Sequence, residues 1–278
     1  MDNKLIIYDS NCKVCSGLRE MFLKFTPVGA DRIVAYSDLD DAMLKKINPA
    51  KFKNVMALID PGPDKNTIYG AEAVSFIFSH YYKICRWLLK YRLVFRMFEI
   101  AYKILSNNRY IIATPRSKFE CDCYPDKVYK YRWAYFIICL FLAIGLTALI
   151  GVSFSGFFNI SPVTGALEML LIAGTGWVFQ ITLTAFLLKD KWLEYIGHLG
   201  TIMVAGLLVS FPWILFNLIT GIEFALFPAL SILISSALMT MLHISRVSYL
   251  RLPRFLNVTW FLFLQTTAAY WICYFQLF

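Results

Sequence analysis

The sequence predicts two architectures in one chain: an α/β N-terminal domain and, after it, an α-helical transmembrane bundle of about five spans. Three observations carry that prediction. A short apolar run, Leu5-Ile6-Ile7-Tyr8, leads into Cys12-Lys13-Val14-Cys15 and then into a helical pattern. The chain of 278 residues is 59% hydrophobic with a mean hydropathy of +0.59, and its long apolar stretches all lie beyond about Arg132. Charge is partitioned as well: residues 83–132 hold twelve basic and four acidic side chains, whereas residues 1–82 are balanced at ten and ten. These shifts divide the chain into an α/β domain at 1–82, a basic juxtamembrane segment at 83–132 and a membrane domain at 133–278.

Within the first segment, residues 5–8 read as a strand and 14–25 as a helix, with a turn at Thr26-Pro27-Val28-Gly29. Residues 32–36 form a second strand, 38–47 a second helix, 54–59 a third strand, 67–69 a short fourth strand, and 71–80 a helix. The Asp60-Pro61-Gly62-Pro63-Asp64 cluster marks the turn between the last two strands. The order β-α-β-α-β-β-α is that of a thioredoxin-like fold.

The paired cysteines sit where a strand hands the chain to a helix. Backbone N–H groups of a first helical turn lack partners and carry partial positive charge, so a thiolate is stabilised there and a second cysteine one turn on can resolve a mixed disulfide. Cys12 is the expected attacking thiol and Cys15 the resolving one, with Lys13 adding a cation. A zinc site needs two further ligands, and Cys121-x-Cys123 and His80 are the soluble-segment residues that could supply them. The strand–CxxC–helix context points to redox chemistry and to no metal.

Asp9-x-x-Cys12-x-x-Cys15 after an apolar strand, Tyr69-Gly70-Ala71-Glu72-Ala73 opening a helix, and Ile100-Ala101 with Asn108-Arg109-Tyr110 together resemble the DCC family of thiol-disulfide oxidoreductases. The resemblance covers about residues 4–112. It implies a thioredoxin-like fold with Cys12 and Cys15 as the redox centre, and Asp9 falls on the family's acidic position. Two features depart from the pattern. Ser10-Asn11 stands where the family commonly has a glycine after the aspartate, and Lys51-Phe52-Lys53-Asn54 precedes Val55 where thioredoxins present a cis-proline.

Beyond the α/β domain, Ile84, Trp87, Leu88, Tyr91, Phe95, Phe98, Tyr102 and Leu105 follow helical spacing in a stripe about 100° wide. Lys83, Arg86 and Lys90 border one side, and Arg92, Arg96 and Lys103 the other. Such a stripe suits the headgroups of membrane lipids or packs on the α/β sheet as ordinary core, and a mixture of the two, with the helix between the domain and the membrane, is expected. Nucleic acid is excluded as a partner, because no reading motif accompanies the basic residues. Cys121 and Cys123 lie in the loop ahead of the first span, either as a second dithiol exchanging with Cys12 and Cys15 or as plain reduced thiols.

The five expected spans are 133–152, 165–188, 195–219, 222–244 and 255–277, against the roughly 20 residues that a bilayer core requires. Lys189, Lys191, Arg246, Arg251 and Arg254 all fall in loops on the same side as the basic segment. This orientation keeps the N-terminus in the cytoplasm and the C-terminus outside, as for a bacterial inner-membrane protein. Only four apolar residues precede Asp9, too few for a signal-peptide core. His198 and His243 are the intramembrane residues suited to bind a cofactor, either haem or a quinone; none is required by the dithiol chemistry. Gln180, Asn217 and Gln265 are expected to hydrogen-bond between helices.

The function expected is thiol–disulfide exchange at the cytoplasmic membrane surface, with a protein or small-molecule disulfide or dithiol as partner. Two alternatives place the function in the bundle: a binding or transport module regulated by the α/β domain, or electron transfer from the dithiol to quinone or haem.

Overall fold

The computed structural model describes residues 4–62, 67–115, 124–221 and 226–277. The chain divides into two compact units, Met1–Tyr135 and Phe136–Phe278.

In the first unit, β1 (Leu5–Tyr8) runs parallel to β2 (Ile33–Ala35) and antiparallel to β3 (Ala57–Ile59), and β3 pairs antiparallel with β4 (Ile68–Tyr69). The mixed sheet has the order β2-β1-β3-β4. Side chains alternate across it, as strand geometry requires, and both faces are buried. Ile6, Ile33 and Leu58 join Phe22 of α1 (Lys13–Phe25) and Val74 and Ile77 of α4 (Gly70–Tyr81) in one cluster. Ile7, Ala57 and Ile59 join Ile47 and Phe52 in a second cluster.

The helix expected over 38–47 is reduced to a 3-10 turn at Tyr36–Asp38 and one short helix, α2 (Asp41–Leu44); a second short helix, α3 (Pro49–Phe52), lies beyond it. Each carries its own cap: Asp40 accepts from the Met43 N–H at 2.7 Å and Asn48 from the Lys51 N–H at 3.3 Å. Proline at the first position of α3 starts that helix and cannot continue the one before it.

The amphipathic segment is likewise two helices, α5 (Lys83–Lys90) and α6 (Arg92–Asn107), separated by Tyr91 in an extended conformation. The break gives the two halves of the apolar stripe different surroundings. Ile84, Trp87, Leu88 and Tyr91 are exposed, whereas Phe98 and Tyr102 pack on the core that contains Ile6 and Phe22. A one-turn helix, α7 (Arg109–Ile112), follows. Asn108 holds that junction: its amide donates to the carbonyls of Ile104 and Tyr131, and its oxygen accepts from Arg132.

The remainder is helical: α8 (Tyr129–Ser155), α9 (Pro162–Leu188), α10 (Trp192–Leu208), α11 (Phe211–Thr220), α12 (Leu226–Tyr249) and α13 (Phe255–Leu277). Among the described residues three helical stretches are long and apolar enough to cross a membrane: Tyr129–Ser155, Pro162–Thr220 and Leu230–Tyr249. They suggest membrane association. The second runs for 59 residues, which at ~1.5 Å per residue is well beyond one ~30 Å bilayer core. It is interrupted at Lys189–Lys191, where Lys189 takes a φ of 41°, and again before Pro212 in the first turn of α11. The span expected over 195–219 is therefore two helices. α13 has spanning length, but Asn257, Thr259, Gln265, Thr266 and Thr267 dilute its apolar character, and it falls outside those three stretches.

Helices of the second unit approach closely at glycines. A Cβ on Gly151 of α8 would collide with the Gly165 carbonyl oxygen of α9, and one on Gly176 of α9 would lie 2.9 Å from the Phe263 carbonyl oxygen of α13. Small residues at such crossings allow backbone contact where lipid offers no hydrophobic drive.

Candidate active site

Strand β1 ends at Tyr8 and the chain turns through Asp9-Ser10-Asn11 before α1 begins. The turn is closed by the side chain of Asp9, whose Oδ1 accepts the Asn11 N–H at 3.0 Å, and by the Asp9 carbonyl, which accepts the Cys12 N–H at 3.2 Å. An aspartate bonding two residues ahead in this way builds the turn without a glycine. Ser10-Asn11 therefore sits comfortably where a glycine was expected.

Cys12 is the N-cap of α1, and its Sγ accepts the Cys15 N–H at 3.2 Å. A sulfur in the capping position receives one of the otherwise unpartnered N–H groups of the first turn. The consequences for the two thiols are opposite. The hydrogen bond from the Cys15 thiol, then the Cys15 N–H and the Arg109 charge, hold Cys12 below the usual thiol value against its burial. Donating that hydrogen bond, together with burial, pushes Cys15 well up. The two thiols are thus coupled, and ionisation falls on Cys12 before Cys15. Cys12 is fully buried and Cys15 only partly so, the reverse of the exposure expected for an attacking and a resolving thiol.

A cluster from far downstream completes the site. Tyr110 donates its hydroxyl to Asp9 Oδ2 at 2.8 Å, and Arg109 Nη2 lies 3.5 Å from the same oxygen while donating to the Lys53 carbonyl at 2.9 Å. Asp9, Arg109 and Tyr110 are all buried, at 4%, 3% and 3% exposure. Burial and then the Asp9 charge raise the Tyr110 phenol far above its ordinary value, so it stays a donor. Arg109 and Asp9 act on the dithiol with opposite sign, the cation favouring thiolate and the carboxylate opposing it.

Donor atoms of Asp9, Cys12 and Cys15 lie within 4.8 Å of one another, close enough to share a metal ion. A structural zinc takes four ligands, however, and here both Asp9 oxygens already accept hydrogen bonds beside a buried guanidinium that would repel a cation.

Asp9, Cys12 and Cys15 are therefore brought together. Arg109 and Tyr110 are members of the site for which sequence reasoning assigned no role; the signal was a charge set in the short run Asn108-Arg109-Tyr110-Ile111-Ile112. Cys121 and Cys123 lie outside the described residues. His198 and His243 belong to the second unit and are buried there. Arg246, read from sequence as a loop charge, is instead buried on α12 and bonds His198 Nδ1 at 2.6 Å. His243 Nε2 is 2.9 Å from the Tyr195 hydroxyl and its Nδ1 is 2.9 Å from Asn257 Oδ1, with the ring stacked on Trp260. Gln180 donates to the same Tyr195 hydroxyl and accepts from Thr259, tying α9 to α10 and α13. Both nitrogens of His243 are thus engaged in helix-to-helix bonds.

No curated protein and no solved structure matches the chain. The family model of the DCC1-like thiol-disulfide oxidoreductases matches residues 6–114, which includes the dithiol, Asp9 and the Arg109–Tyr110 pair. The chain thus carries a DCC1-like thiol-disulfide oxidoreductase domain at residues 6–114, followed by helices that could span a membrane.

Proposed function

We propose that the protein is a membrane-anchored thiol-disulfide oxidoreductase acting by dithiol–disulfide exchange. The observation that carries this reading is the Cys12 sulfur on the N-cap of α1, accepting the Cys15 N–H. The Cys12 thiolate attacks a substrate disulfide, one substrate thiolate leaves, and Cys15 displaces the second as the Cys12–Cys15 disulfide forms. Asp9 accepts or returns the Cys15 proton. Because Cys12 is covered, the side chains over it part before a protein disulfide reaches it. The strand order β2-β1-β3-β4, with β3 antiparallel to β1, supports a thioredoxin-like fold for this domain.

In this reading α8, α9, α10 with α11, α12 and α13 make five passes, and the N-terminal domain lies on the cytoplasmic face of a bacterial inner membrane with the C-terminus outside. Support comes from Lys189, Lys191, Arg251 and Arg254 at the turns on one side. The exposed Ile84, Trp87, Leu93 and Met97 among Lys83, Arg86, Arg92 and Arg96 favour contact with lipid headgroups.

Trapping tests the reaction. Cys15→Ser should accumulate a mixed disulfide at Cys12, and Cys12→Ser should accumulate none and lose exchange. A Cys12→Ser chain that exchanges thiols as fast as the parent contradicts the reading.

A further inference from the structure

The first unit contains a cavity of about 290 Å³ whose wall includes Cys15 but not Cys12. It lies between α1, the sheet, α4 and α6, and Leu18, Phe22, Met56, Val74 and Phe98 make it predominantly apolar. Its size and lining fit a small-molecule site: an apolar chamber with a few placed polar groups. Besides Cys15, the polar residues of the wall are Tyr8, Arg19, Tyr102, Ser106 and Arg109. The exchange reaction leaves this chamber unused. When Cys15 attacks the mixed disulfide, the leaving sulfur must lie in line with Cys15 and Cys12 on the far side of Cys12, so the exchange substrate occupies the side away from the cavity.

The in-line requirement also says what the cavity suits. A group bound to the Cys15 sulfur and displaced by Cys12 leaves on the Cys15 side, into the chamber. It must be apolar, accept two electrons and present oxygen atoms to a guanidinium. We propose that the cavity binds the ring of a hydrophobic quinone, which takes electrons from the dithiol through Cys15. The inference rests on Cys12 and Cys15 being a redox pair.

The step balances as follows. The Cys15 sulfur adds to a ring carbon, forming an S–C bond, and the electron pair moves to one carbonyl oxygen, which takes the Cys15 proton. The Cys12 thiolate then attacks Cys15 Sγ; the S–S bond forms, the S–C bond breaks, and its pair passes through the ring to the second carbonyl oxygen. That oxygen takes the proton Cys12 had released on ionising. Two thiols become a disulfide and the quinone becomes a quinol. Arg109, in the cavity wall and beside Asp9, stabilises the oxyanion as it develops.

The test uses the reduced full-length chain in detergent with decylubiquinone as probe, following quinol formation and, separately, exchange with a soluble disulfide. Quinol should form in proportion to the Cys12–Cys15 disulfide. Narrowing the chamber with Ala101→Phe or Leu18→Phe should slow quinone reduction by about tenfold or more while exchange changes by less than about twofold. Cys12→Ser should hold the quinone as a covalent adduct on Cys15, detectable by mass spectrometry. Quinone left unreduced by a chain that still exchanges disulfides overturns the inference and leaves the exchange reading standing, as does quinone reduction insensitive to both narrowing variants. A chain inert to quinone and disulfide alike removes the redox pair on which both rest.

Discussion

The chemistry of the dithiol is set by three side chains, Asp9, Arg109 and Tyr110, from two distant parts of the chain. Arg109 favours the Cys12 thiolate by charge from outside the pair, and Asp9 opposes it. The two carboxylate oxygens are pinned by the Asn11 N–H and the Tyr110 hydroxyl, so the Asp9 charge stays at a fixed place beside the sulfurs. Arg109→Gln should therefore shift the pH midpoint of Cys12 alkylation upward, and Asp9→Asn should shift it downward; peptide mass spectrometry of iodoacetamide-treated chains reads both. The sign for stability follows. Because the folded value for Cys12 is depressed, its thiolate adds stability to the reduced protein above the unfolded thiol value, and that contribution is lost as pH falls through the folded value. Tyr110→Phe removes the donor from a buried carboxylate and should cost about 1–3 kcal/mol in denaturant unfolding. Cys12 and Cys15 were legible from sequence because their spacing is local. The part of Arg109 was not, since a residue a hundred positions away acquires its role only when α7 is folded against the start of α1.

At the scale of elements, short-range signals succeeded where a single cap or period governed and failed where two helices shared one pattern. The four strands and the helices α1 and α4 were readable from apolar runs and turn residues. The helix over 38–47 was not: only Asp41–Leu44 is helical, opened by the cap at Asp40, and the next helix starts afresh at Asn48 and Pro49. The stripe over 83–105 has the correct period but breaks at Tyr91, which periodicity cannot register because both halves keep the same spacing. Backbone constraints at two glycines give element-level predictions. Gly70 opens α4 with a φ of 63°, and a Cβ there would lie 3.3 Å from both Tyr102 and Val55. Gly70→Ala should lower stability by roughly 1–2 kcal/mol, from the left-handed backbone alone. Gly151→Val should separate α8 from α9 and lower the melting temperature of the detergent-solubilised chain, because its Cβ meets carbonyl backbone rather than a movable side chain.

For the whole molecule, the partition of composition located a redox-type domain ahead of apolar helices. It did not locate Arg246, which the sequence offers as one more basic loop residue and the fold buries beside His198. Hydropathy averages a window and so misses a single charge satisfied inside a bundle. The same averaging does not register the break between α10 and α11. Membrane anchoring predicts that the protein stays in the pellet after alkaline carbonate washing of membranes and that residues 1–82 are cleaved by protease only in inverted vesicles. Cleavage in right-side-out vesicles would reverse the proposed orientation.

The central claim, that Cys12 and Cys15 form the redox centre, is tested most directly by equilibrating the full-length chain in thiol–disulfide buffers of graded potential and quantifying the Cys12–Cys15 disulfide by mass spectrometry. The account predicts one reversible two-electron transition, with the oxidised-to-reduced ratio changing tenfold per about 30 mV. If no Cys12–Cys15 disulfide forms anywhere across that range, the dithiol is not the redox centre.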